Sequence, residues 1–150
     1  MGKGREWLKR YLPAEIIGTL TAIISASVAH LFSKNNILIA YTGSLGEAAG
    51  FYGTVLIQRI MIADRKTKRN HKKISLHDFI KIFSGIILEF GPAGLIDGLL
   101  LRPLFMYLFP LYLKHFTLGI LAGKFMADIT FYILVIASYE ITKRKHKSLL

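Results

Sequence analysis

The chain has no cysteine, one tryptophan, four prolines and only 9 acidic residues in 150. Without cysteine there is no disulfide, no thiolate zinc site and no thiol nucleophile. Nucleophile-elbow, phosphate-loop and helical His-Glu zinc patterns are also missing. His30, His71, His77, His115 and His146 fall at the ends of apolar runs or between them, a poor arrangement for metal ligation. No metal and no cofactor is expected. Glu6 stands where an N-myristoylation signal carries a hydroxyl.

Acids are scarce against 20 basic residues, and the net charge is +11. Such an excess suggests nucleic acid, but the basic residues are not interleaved with aromatics over one face. They are punctuation between apolar runs. Lys3, Arg5, Lys9 and Arg10 precede the first run, Arg65, Lys66, Lys68, Arg69, Lys72 and Lys73 follow the second, and Lys143, Arg144, Lys145 and Lys147 follow the fourth. No nucleic-acid partner is expected; anionic lipid headgroups suit the 65–73 cluster better.

The four runs are 14–32, 37–63, 79–101 and 116–139. A helix rises about 1.5 Å per residue and the hydrocarbon is about 30 Å thick, so each is long enough to cross. The expected fold is all-α: a single polytopic membrane domain, residues 1–150, with four transmembrane helices. Basic connections resist translocation, which places both termini and the 64–75 loop in the cytoplasm and favours a bacterial inner membrane. PLFMYLFPLYL, residues 103–113, is bounded by prolines and rich in aromatics. It is expected to lie at the outer interface or re-enter. A cleaved signal ending near Ala29 is the competing reading of the first run, and the small residues packed through that run favour a retained helix.

Small residues recur at helical spacing: Gly18, Ala22, Ser25, Ala26 and Ala29 in the first run, Gly43, Gly46, Gly50 and Gly53 in the second, Gly119 and Gly123 in the fourth. Such faces permit close helix packing. Those of the second and fourth runs are expected to serve a second copy or a membrane partner subunit. The two halves share an order of apolar helix, short connection and glycine-rich helix, a weak sign of duplication.

Glu47, Glu89, Lys124 and Asp128 fall in the middle third of their runs. Each, alone in lipid, costs several kcal/mol, about 2.5–3.5 on insertion scales, so one shared internal cluster is the economical arrangement. Lys124 and Asp128 are one turn apart, and Tyr132, a turn later, is placed to donate to the carboxylate. Gly91 and Pro92 mark a break or hinge beside Glu89. Asp97 and Arg102 read as an ion pair anchoring the outer end of the third helix, and Glu15 sits at a cytoplasmic boundary. Glu47, Glu89, Lys124 and Asp128 are therefore the primary candidates for binding a proton or substrate, with Asp97, Arg102, Tyr132 and Glu15 secondary. The expectation is a proton-linked transporter or channel-like subunit for a small cation. The alternatives are an enzyme acting on a lipid or polyprenyl substrate and an accessory subunit of a membrane complex.

Overall fold

The computed structural model describes the backbone of residues 2–148 and their side chains, except those of residues 3, 4, 7, 89, 90, 92, 138, 139, 142, 143 and 145–148. Five α-helices follow one another: α1 Gly2–Phe32, α2 Asn36–Arg69, α3 Leu76–Ile96, α4 Arg102–Leu113 and α5 Phe116–Ser148. A π-turn, Asp97–Leu101, joins α3 to α4. No strand occurs among the described residues.

The helices start and stop for local reasons. At the α1–α2 turn, Asn35 has extended backbone and its Oδ1 accepts from the N–H groups of Ile37 and Leu38, capping α2. Ser75 and Asp78 form a reciprocal capping box on α3. The backbone and side-chain hydrogen bonds from Ser75 hold the Asp78 carboxyl below its ordinary value. Lys114, in the left-handed conformation, ends α4 and turns the chain into α5. α1 runs uninterrupted through Pro13, so the basic N-terminal stretch and the apolar run after it form one helix.

Packing is dominated by two antiparallel hairpins, α1 with α2 and α4 with α5. Glycine sets both. A side chain on Gly46 or Gly50 would collide with Ser25 or Thr21 of α1, and one on Gly123 would lie 2.6 Å from the Phe105 carbonyl of α4. Gly119 is likewise pressed against Pro110. The small-residue faces expected to receive a second copy are thus used inside the chain, Gly53 excepted, which has open space around it. At the end carrying the two short turns, Ala22, Ala26, Ile39, Ala40, Met106 and Ile120 form one buried cluster. At the opposite, basic end, Tyr11, Ala14, Val55 and Ile86 form another.

Large apolar side chains point outward instead: Ile16, Leu20 and Ile24 on α1, Phe125, Ile129 and Ile133 on α5 are all exposed. A chain with charged groups inside and leucines outside is arranged for a hydrocarbon solvent. Among the described residues, three helical runs are long and apolar enough to cross a membrane: Leu8–Phe32, Ala93–Leu113 and Phe116–Ala137. This is a helical membrane protein.

Some boundaries differ from expectation, and α2 runs on to Arg69, so of the loop expected over residues 64–75 only residues 70–75 lie outside a helix. The 79–101 run is not one helix, because Gly91 adopts φ 28°, ψ −139° and kinks the chain. Glycine alone tolerates positive φ without a Cβ penalty. The crossing-length run restarts at Ala93 and continues through residues 103–113, which pack one side against α2 and α5 and leave Leu104, Leu108 and Leu111 exposed on the other. The sequence count of four crossings rested partly on α2, whose stripe of Gly43, Ser44, Glu47 and Gly50 lowers its hydropathy because that face is turned inward, against α1 and the π-turn.

Candidate functional site

Charge gathers where the π-turn, α1, α2 and α5 meet. Arg102 is its centre. The guanidinium contacts three carboxylates from three elements: Nη1 pairs with Glu47 Oε2 of α2, Nη2 lies 2.7 Å from Asp97 Oδ2, and Nη2 also lies 3.0 Å from Asp128 Oδ1 of α5. Nε donates a second bond to Asp97 Oδ2 at 3.0 Å. Lys124 extends the network, with Nζ 2.7 Å from Asp128 Oδ2 and 2.6 Å from Glu15 Oε2 of α1. Asp128 joins the two cations, one on each oxygen.

The π-turn makes the Asp97–Arg102 pair. At about 100° per residue, positions five apart on an α-helix face about 140° away from one another. A π-turn closes its hydrogen bond over five residues, here from the Arg102 N–H to the Asp97 carbonyl, and stacks the two side chains on one side. Its displaced carbonyls find hydroxyls on α2: Ser44 Oγ donates to Gly98 at 2.9 Å and Tyr41 Oη to Leu99 at 3.0 Å. Glu47, one turn after Ser44 on the same α2 face, is then brought to the guanidinium.

Burial is graded. The side chains of Lys124 and Arg102 are 3% and 8% exposed, those of Glu47 and Asp97 both 5%, Asp128 14% and Glu15 26%. Glu15 is the open end of the network. Asp97 is the closed end, and its Oδ1 is buried with no hydrogen-bond partner among the described residues. One carboxylate oxygen from each of Glu15, Glu47 and Asp128 lies within 4.8 Å of the others. Oxygen donors at that spacing suit a hard cation or an ammonium group, and the ammonium of Lys124 already contacts two of the three acids.

Glu47, Lys124 and Asp128 are brought together as expected, with the predicted pair inside α5. Glu15, Asp97 and Arg102, ranked second by sequence, are members of the same cluster. Asp97 and Arg102 do pair, but in the buried interior rather than at an outer helix end, because residues 102–113 continue beyond them. Tyr132 is half exposed and makes no hydrogen bond to Asp128 among the described residues. The side chains of Glu89 and Pro92 lie outside the described residues, while the backbone is kinked at Gly91. Ser44 and Tyr41 were not foreseen. Ser44, three residues before Glu47 in a glycine-rich stretch, was the available signal.

A groove of about 360 Å³ opens at the turn end, lined among others by Ile39, Tyr107, Lys114 and Phe116. It shares no residue with the ionic cluster, where the chemistry is. Comparison with protein-family models, with curated proteins and with solved structures finds no match for this chain.

Proposed function

We propose that the chain is a four-crossing membrane protein whose buried cluster exchanges protons for a small cationic solute. The observation that carries this is charge balance. Among the described residues, Glu15, Glu47, Asp97 and Asp128 are paired with Lys124 and Arg102, so the ionised cluster they form holds two negative charges in excess. Uncompensated charge in a low-dielectric interior costs several kcal/mol, roughly, and a bound proton or cation removes it. Register between helices needs a neutral pair, and an excess of acid serves exchange.

Arg102 is the fixed counter-ion of Glu47 and Asp97. Lys124 is the movable one, because its chain is flexible and its partners Glu15 and Asp128 are the less enclosed acids. A solute cation entering past Glu15 takes the place of the Lys124 ammonium between Glu15 and Asp128. Protons leave the cluster in exchange, and the orphaned oxygen of Asp97 is an acceptor for one. α2 is the fourth crossing, since it packs along α1. The basic loop and both termini are cytoplasmic by the positive-inside rule.

The test is reconstitution in liposomes with a trapped pH dye, challenged with sodium, potassium and ethylammonium in turn. A lumenal pH change with at least one of these, lost in Glu47→Gln and Asp128→Asn proteins that keep the wild-type gel-filtration profile, supports exchange. No pH response from the folded wild type to any of the three, or a response unchanged in both variants, removes the proposal.

A further inference from the structure

The first part of α3, residues 76–90, has two unlike outer faces. Leu76, Phe79, Ile80, Phe83 and Ile87 are all exposed and fall on one side at about 100° per residue. His77, Lys81 and Ser84, exposed too, form a polar stripe beside them, which gives way to the exposed Leu88 just before the kink. A third side, through Ile82 and Ile86, packs on the basic-end cluster with Tyr11, Ala14 and Val55. A helix that crosses hydrocarbon is apolar all round except where protein covers it. One with an apolar and a polar stripe side by side is shaped for the boundary between the two solvents.

Length gives the same answer independently. Ala93–Leu113 has 21 residues, about 31 Å at 1.5 Å per residue, which already fills the hydrocarbon. Adding residues 76–90 to that axis gives roughly 55 Å, far beyond any bilayer core. The kink at Gly91 separates the two pieces. Ile86 packs level with Tyr11 and Ala14, near the start of the Leu8–Phe32 run, so the segment before it lies at the membrane boundary on the basic end.

From these placements we infer that residues 76–90 form an in-plane helix on the basic-end face of the bilayer, bound to anionic lipid, with Gly91 as the corner where the chain turns to cross. The charge around it fits anionic headgroups. Arg65, Lys66, Lys68, Arg69, Lys72, Lys73 and Lys81 are exposed on the adjoining loop and helix, and the neighbouring acids are already engaged, Asp64 with Lys68 at 2.8 Å and Asp78 in the Ser75 cap. Five apolar side chains enter between the acyl chains while the lysines meet phosphate. This assignment does not depend on what the ionic cluster transports.

The absence of native cysteine makes the test direct. Single nitroxide labels are attached after Phe79→Cys, Ile80→Cys, Phe83→Cys and Ile87→Cys, and on the polar stripe after Lys81→Cys and Ser84→Cys, in the full chain reconstituted into phosphatidylcholine vesicles with and without phosphatidylglycerol. An in-plane helix gives high oxygen and low nickel-complex accessibility at the four apolar positions, all at one shallow depth, and the reverse at 81 and 84. Phosphatidylglycerol increases the depth at 80 and 83, and Lys72→Glu with Lys73→Glu cancels that increase. Depth rising steadily from 79 to 87 overturns the inference in favour of a crossing helix. Labels reached by neither reagent and broadened by one another overturn it in favour of a second copy. An arrangement indifferent to phosphatidylglycerol overturns the anionic-lipid part.

Discussion

Arg102 Nη2 lies 2.7 Å from Asp97 Oδ2, five residues back along the same chain, and only the intervening π-turn lets that pair form. The same nitrogen reaches Asp128, and its neighbour reaches Glu47. One guanidinium therefore ties the π-turn to α2 and α5. It does so with a planar group whose five donors meet several carboxylates at once, which a lysine cannot imitate.

Removing that cation leaves Glu47, Asp97 and Asp128 facing one another in the interior. Arg102→Met is expected to destabilise the detergent-solubilised protein by about 3–5 kcal/mol, the usual cost of breaking a buried ionic network at one partner. Adding Glu47→Leu and Asp97→Leu should return part of that loss, because neutral groups of similar size carry no uncompensated charge. Thermal unfolding followed by circular dichroism reads both. A midpoint unchanged in Arg102→Met contradicts the network.

Ser44 holds the π-turn by one hydrogen bond to the Gly98 carbonyl. Ser44→Ala should cost about 1 kcal/mol and, more specifically, speed amide exchange at Leu101 and Arg102, the N–H groups nearest the freed Gly98 carbonyl, since Pro103 carries none. Exchange elsewhere on α2 should be unaffected. Hydrogen exchange with mass spectrometry separates the two regions.

The glycines of α2 are not equivalent. Gly46→Val forces α1 away at Ser25, an overpacking that costs about 1–3 kcal/mol, whereas Gly53→Ala meets open space and leaves stability unchanged or slightly higher through improved helix propensity. Unfolding midpoints of the two variants, measured side by side, check the difference. Equal effects would show that the α1–α2 approach is looser than described.

Gly91 bends the chain at φ 28°, a value that strains any other residue by about 1–3 kcal/mol. Gly91→Ala is expected either to lower the unfolding midpoint or to straighten residues 76–101 into one rod. Pulsed spin-label distances between positions 80 and 100 distinguish these results, lengthening only in the second. A variant with neither change contradicts the kink.

At the start of α3, the Asp78 carboxyl titrates below its ordinary value because the Ser75 backbone N–H and hydroxyl stabilise its charged form. A lowered folded value means the cap contributes fully above the ordinary carboxylate range and loses its effect as pH falls through the folded value. The Leu76–Phe79 turn should therefore fray only in acid. Carbon chemical shifts of that turn, followed from neutral to acid pH, should show it, and Asp78→Asn should fray the turn at neutral pH.

Much of this molecule is written in local pattern. Apolar run lengths and the basic residues between them predict helices and a membrane solvent. Glu47, Lys124 and Asp128 stand out because charge within an apolar run demands a partner wherever it occurs. The partners themselves lie far apart in sequence. That Arg102 rather than Lys124 is the hub follows from where a π-turn points it, and a π-turn leaves no mark in periodicity. The glycine faces, equally open in sequence to a neighbour in the same chain or another copy, are taken up by α1 and α4 of the same chain. Residues 103–113 are placed for a related reason: the fit of Met106 against Gly43 of α2 and of Pro110 against Gly119 of α5 leaves no trace in local pattern. Pattern sets what each segment must bury, and only packing in three dimensions selects what buries it.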